Sequence, residues 1–162
     1  MHALYDEWLQ LATHIGRVSI AEKRVIAGAE SCTGGLISAV LTSVSGSSAW
    51  VDRGFVTYSN EAKMELLGVL PGTLETYGAV SEETAREMAR GALSRSGASI
   101  AYSVTGVAGP TGGTASKPVG MVCFGFATAD DVFTATQYFA GDRNSVREQS
   151  VNFVLHRLAA RG

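Results

Sequence analysis

Apolar and polar positions along this chain switch between two periods, and the switches mark out its elements. Leu4, Trp8, Leu11 and Ile15 recur at helical spacing, which predicts an amphipathic helix with Gly16 as its stop. Arg24-Val25-Ile26-Ala27-Gly28 reads as a strand, and Leu36 to Leu41 as a helix ending near Thr42. Ser43 to Ser48 is small and polar, a loop or a pocket wall. Gly54 to Tyr58 has strand character, and Ser59-Asn60 caps a short helix that carries Lys63 near its first turn and ends before Gly68. Pro71-Gly72 predicts a turn. Ser81 caps a further helix, with Glu82 and Glu83 at its start and Arg90 and Arg95 towards its end, an order that complements the helix dipole. Its buried face is Ala85, Met88, Ala89 and Ala92.

Ser99 to Val104 is a strand that enters a glycine-rich loop, Thr105 to Thr114. Val119 to Thr128 and Val132 to Phe139 are two β-type runs joined by Ala129-Asp130-Asp131, an antiparallel hairpin. After Gly141-Asp142, a last helix buries Val151, Val154, Leu155 and Leu158. Helix-separated strands followed by a hairpin predict one α/β domain over residues 1–162. The arrangement is three-layer α/β/α, with a mixed sheet of parallel strands plus a C-terminal antiparallel hairpin.

Composition narrows the class. The 162 residues are 46% hydrophobic and 17% charged, which suits a single globular domain. A net charge of -2 offers no general attraction to nucleic acid or an anionic membrane. The longest apolar stretch, Val119 to Ala127, is too short to span a bilayer, and Asp6 and Glu7 are wrong for a secretory signal. Cys32 and Cys123 are too few for a disulfide scaffold or a zinc site, so a reduced, cytoplasmic location is expected.

Three strands run into polar turns, at Ser31, at Tyr58-Ser59 and at Thr105-Gly106. Sites in open α/β sheets collect beyond the carboxyl ends of strands, so parallel strands would bring Ser31, Tyr58, Lys63 and Thr105 to one edge. Ser31 is a candidate nucleophile at a strand-to-helix turn; capping of the helix by Ser31 or Thr33 is the plain alternative. His2, His14 and His156 lie in the terminal helices, which disfavours a Ser-His-Asp triad. Of the three lysines, only Lys63 sits in a helix N-terminal turn, where the dipole and burial would both disfavour the ammonium form and suit it to act as a base; a solvated lysine on an ordinary helix is the plain alternative. Cys32 is the rival nucleophile, since a helix N-terminus stabilises a thiolate. The loop with Gly106, Gly109 and Gly112 could approach an anion, or could be a flexible surface loop; it is not a P-loop. Arg143, a cation at a helix N-terminus, answers either a bound anion or Asp142. No metal-ligand spacing and no dinucleotide fingerprint is present, so no cofactor is expected.

Six blocks carry a more specific signal. Ala29-Glu30-Ser31-Cys32-Thr33-Gly34-Gly35, Gly54 to Lys63, Gly78-Ala79-Val80-Ser81, Thr105 to Pro110, Lys117-Pro118-Val119-Gly120 and Gly141-Asp142-Arg143 together resemble the CinA C-terminal domain family, in the family's order and over nearly the whole chain. That family includes stand-alone nicotinamide-nucleotide amidases, so the resemblance implies hydrolysis of nicotinamide mononucleotide to nicotinic acid mononucleotide and ammonia. The family serine falls on Ser31, the associated tyrosine and lysine on Tyr58 and Lys63, and the Thr/Ser-Gly-x-Ala-Gly-Pro loop starts at Thr105. Family members with an extra N-terminal domain are linked to competence and to nucleotide pyrophosphatase activity; this chain leaves no room for that domain. The expected mechanism is a Ser31–Lys63 dyad, with N–H groups around Thr33, Gly34 and Gly35 holding the oxyanion, Tyr58 positioning or relaying the proton, and Thr105 orienting Lys63 or touching substrate. Gly106, Gly109, Gly112 and Arg143 are the candidates for the substrate phosphate. A nucleotide-binding, regulatory module without turnover is the competing class, and a thiol enzyme or redox sensor using Cys32 is a third. The resemblance and the amphipathic terminal helices imply a homo-oligomer, with no nucleic-acid or membrane partner.

Overall fold

Five strands form one sheet in the order β2-β1-β3-β4-β5, where β1 is Ile26–Glu30, β2 Val51–Val56, β3 Ile100–Gly106, β4 Met121–Thr128 and β5 Val132–Tyr138. The computed structural model describes residues 2–160. β1 pairs in parallel with β2 and β3, while β3, β4 and β5 follow one another antiparallel. This is the mixed sheet with a late hairpin that the hydrophobic pattern predicts. β1 is buried along its whole length, as a central parallel strand covered on both faces must be.

One face carries α1 (His2–Ala21), α2 (Leu36–Leu41) and α6 (Arg143–Ala159); the other carries α3 (Asn60–Leu67), α4 (Pro71–Tyr77) and α5 (Glu82–Ser94). The larger core lies under the first set, where Trp8, Ile15, Ile37, Phe124 and Leu155 meet. A smaller one under the second set joins Ala29, Leu67, Met88 and Ala101. Alternation along β1 decides which residue serves which layer: Ala29 turns to α5, and Glu30 turns to α2.

Three local expectations are corrected. α1 runs through Gly16 to Ala21, because that glycine makes a close contact rather than a stop. A Cβ at Gly16 would stand 2.9 Å from the ring of the buried Trp50. Pro71-Gly72 opens α4 instead of making a turn: proline in the first helical turn lacks only an N–H that the helix would not use. β2 ends at Val56, two residues early, although the Thr57 N–H still donates to the Glu30 carbonyl at 2.9 Å. From there the chain bends, and the carbonyls of Thr57 and Tyr58 point at a side chain instead of a neighbouring strand.

Candidate active site

The bend after β1 holds Ser31. Its N–H donates to the Val104 carbonyl at 3.0 Å, and the Gly34 N–H donates to the Ser31 carbonyl at 3.0 Å, so the backbone on both sides of the serine is fixed. Neither Ser31 nor Thr33 caps α2; the cap position falls to Gly35, which has no side chain to offer. The donors at the start of α2 are instead satisfied by Glu30. Its Oε1 accepts from the Thr33 hydroxyl (2.7 Å) and the Ile37 N–H (2.9 Å), and its Oε2 from the Ser38 N–H (2.9 Å) and hydroxyl (2.8 Å) and the Tyr102 phenol (3.2 Å). The Ser31 hydroxyl is thereby left free for another partner.

That partner is Lys63. Ser59 caps α3 by accepting from the Ala62 N–H at 3.0 Å, and the lysine four residues on folds back over the cap. Its Nζ lies 3.1 Å from Ser31 Oγ and donates to the carbonyls of Thr57 (2.9 Å) and Tyr58 (3.2 Å), with Ser59 O at 3.5 Å. Lys63 is 1% exposed and bonded to no carboxylate, and burial pushes its pKa below the ordinary lysine range. A neutral amine has two hydrogens and one lone pair. In that form, with the two short carbonyl contacts taking the hydrogens, the lone pair would face the Ser31 hydroxyl. Such an arrangement can serve a nucleophile and its base.

Cys32 lines the same cleft and is as buried as Ser31, but its thiol is held far from ionising. Burial pushes its thiol up to about 12; its own N–H lowers it, Glu30 raises it again, and the positive Arg147 opposes that rise. A thiol that far from ionising is a poor nucleophile at neutral pH. The thiolate expected from its place before a helix is disfavoured chiefly by burial, and the neighbouring Glu30 adds to that.

The remaining expected residues separate into wall, frame and bystander. Tyr58, Thr105, Gly106 and Arg143 line the same cleft of about 200 Å³ as Ser31 and Lys63. The Tyr58 phenol accepts from Arg143 at 3.2 Å, and it is the Tyr58 carbonyl that touches Lys63. Thr105 donates to the Ala79 carbonyl at 2.8 Å and is not bonded to Lys63. Arg143 also donates to the Gly109 carbonyl at 2.8 Å, so it ties the glycine-rich loop to Tyr58. Thr33 is fully buried against Glu30, Gly34 and Gly35 lie behind the nucleophile turn, and Gly112 is exposed outside the cleft. His14 and His156 are exposed on the outer helices, and the side chain of His2 lies outside the described residues. Two larger hollows, of about 470 and 600 Å³, lie at the amino ends of β1 and β3 and against α6; neither brings a hydroxyl to a buried amine.

Sequence reasoning passed over Glu30, Tyr102 and Arg147. Arg147 donates to the carbonyls of Cys32 and Thr33, both at 3.2 Å, and so braces the turn from α6. The readable signal for Glu30 was an acidic residue closing an apolar strand just ahead of a helix N-terminus. No group of three or more His, Cys, Asp or Glu side chains that could hold a metal occurs among the described residues.

Comparison with known proteins agrees with this architecture. The profile of the CinA C-terminal domain matches residues 9–161. The nicotinamide-nucleotide amidohydrolase PncC of Enterobacter agglomerans is 57% identical over 90% of either chain. The protein of that name from Escherichia coli K12 is 48% identical over 94% of this chain and 93% of its own. Among solved structures, a competence/damage inducible protein from Agrobacterium tumefaciens is 46% identical with a TM-score of 0.90, covering 93% of both chains. A competence damage-inducible protein A from Klebsiella pneumoniae is 38% identical with a TM-score of 0.91 over 94% of both. With the matched profile spanning nearly every residue, the chain belongs to the CinA C-terminal domain family.

Proposed function

We propose that this protein is a nicotinamide-nucleotide amidohydrolase that converts nicotinamide mononucleotide to nicotinic acid mononucleotide and ammonia through an acyl-enzyme on Ser31. The relatives bearing that name support the substrate, and the observation that carries the mechanism is the 3.1 Å approach of the Ser31 hydroxyl to a buried Lys63 amine. Neutral Lys63 takes the hydroxyl proton as Ser31 Oγ bonds to the carboxamide carbon. The resulting oxyanion falls to turn N–H groups not committed elsewhere: those of Ser31, Gly34, Leu36, Ile37 and Ser38 already have acceptors, which leaves Cys32, Thr33 and Gly35. Protonated Lys63 then gives its proton to the departing nitrogen, the C–N bond breaks and ammonia leaves. Water attacks the ester along the same path, Lys63 accepting its proton and returning it to Ser31.

The cleft is sized for the ring and carboxamide, so the ribose phosphate lies over the rim, where exposed Arg143 supplies a cation and Tyr58, 62% exposed, supplies a ring face for the pyridinium. The fixed pyridinium charge further disfavours a second cation at Lys63. The test is ammonia release from nicotinamide mononucleotide. Ser31→Ala is expected to lose roughly 10³-fold or more in kcat, as removal of a nucleophile does. Binding of the nucleotide by wild type with no ammonia released would instead identify a silent nucleotide-binding module.

The chain also reads as a homo-oligomer. α1 leaves Tyr5, Leu9 and Ile20 exposed at 48%, 36% and 63%, apolar surface that a second copy would cover. Sedimentation of the purified protein as a monomer would dispose of that reading.

A further inference from the structure

Besides Lys63, one ionisable side chain is fully buried beside the nucleophile, and the reaction scheme gives it no task. Glu30 is 0% exposed, directly precedes Ser31, and meets no cation in an ion pair among the described residues. Every one of its five contacts comes from a donor: two N–H groups of α2, the hydroxyls of Thr33 and Ser38, and the phenol of Tyr102. The contacts join the end of β1, the nucleophile turn, the start of α2 and the middle of β3 at one carboxylate. Tyr102 can reach it only because position 28 is glycine, since a Cβ there would lie 1.9 Å from Tyr102 Cζ. So many elements converging on one group amount to a built anchor, well beyond what a helix cap requires.

We propose that Glu30 is a positioning residue for the nucleophile: by holding the Ile37 and Ser38 N–H groups and the Thr33 hydroxyl it fixes the bend that presents the Ser31 hydroxyl to Lys63, and it adds to the burial that keeps the adjacent Cys32 sulfur inactive. A residue that touches no substrate thus helps to tip this turn towards oxygen and away from sulfur. Around Cys32, burial opposes a thiolate most strongly, Glu30 adds to it, and the cationic Arg147 opposes both. The inference rests on Ser31 being the nucleophile of the reaction proposed above.

The experiment compares wild type with Glu30→Gln, whose amide keeps the length but sets an NH2 group against donors. Two readouts are taken: kcat and KM for ammonia release from nicotinamide mononucleotide, and the iodoacetamide alkylation rates of Cys32 and Cys123, followed separately by mass spectrometry. Glu30→Gln is expected to lower kcat about tenfold or more with KM held within about threefold, because the bend is disturbed and the binding rim is not. Alkylation of Cys32 should accelerate about tenfold. Cys123, also buried in the core, should keep its wild-type rate and so reports on global opening. If Cys123 accelerates too, Tyr102→Phe decides, since it removes one donor and leaves the ring in place; the same pattern at about threefold sustains the proposal. Wild-type kcat and Cys32 alkylation in both variants would overturn it. A wild type that releases no ammonia defeats the amidase reading, while the Cys32 rates still decide what Glu30 does to the turn.

Discussion

Two strand-to-helix turns flank the cleft, and each buries an ionisable side chain, yet they treat the charge in opposite ways. At the β1–α2 turn, Glu30 is surrounded by N–H and O–H donors, which suit an acceptor-only group. At the β2–α3 turn, Lys63 is buried among carbonyls with no carboxylate to pair it, and its pKa is pushed down. In the proposed mechanism, one turn holds a group still and the other keeps a group reactive. Comparable burial therefore does not mean a comparable role: what each group is given to bond with decides it.

The largest expected effect that would break this contrast is on turnover. Lys63→Met should lower kcat by about 10²–10⁴-fold, the usual worth of a positioned base, with little change in Tm. The relief of desolvation offsets the orphaned carbonyls, so substantial residual turnover would remove Lys63 as the base. Glu30→Leu should show up in stability instead, costing about 3 kcal/mol or more in urea unfolding, since several buried donors at roughly 1–3 kcal/mol each lose their acceptor. Gly28→Ala should follow at about 2–3 kcal/mol, because the Tyr102 ring has to move off the strand; a neutral result would mean the anchor tolerates losing its phenol.

A pH series sharpens the same comparison. The folded Lys63 holds its proton less tightly than an unfolded lysine, whose pKa is about 10.4. Between the two values the unfolded chain binds the extra proton, so this group makes stability rise with pH across that window. Turnover should also rise with pH through the folded pKa of Lys63, on a limb lying below the ordinary lysine range, and that limb should be missing from Lys63→Met. The smallest effect belongs to Cys32→Ala: most of the turnover should remain, and stability should fall by about 1 kcal/mol for the lost buried sulfur. A collapse of activity in that variant would reopen the thiol chemistry.

What could be read from the residues alone follows from what side-chain identity encodes. The alternation of apolar runs and the punctuating turns led to the layers, the sheet and the hairpin. Ser31 stood out because it sits at a strand-to-helix turn, and Lys63 because it alone of three lysines falls in a helix N-terminal turn. The cradle of Lys63 could not be read, since its acceptors are the main-chain carbonyls of Thr57 and Tyr58, which no letter of the sequence distinguishes. Tyr58 was singled out for its phenol, whereas the atom that reaches Lys63 is its carbonyl oxygen. Gly16 read as a stop because a close approach to Trp50, thirty-four positions away, leaves no local trace. Glu30 was visible but unassigned, because its donors come from three elements and only one of them adjoins it in sequence.

The two arginines one turn apart on α6 have a consequence for the order of assembly. Arg147 grips the bend of Cys32 and Thr33 across 115 and 114 residues of chain, and Arg143 reaches Tyr58 across 85. Contacts that distant in sequence close late, after the loop entropy between them has been overcome. On the ribosome, the serine and the lysine would emerge early and then wait, without a braced turn or a finished rim, until residues past 143 had docked. A half-made chain would thus fold much of its sheet while hydrolysing nothing.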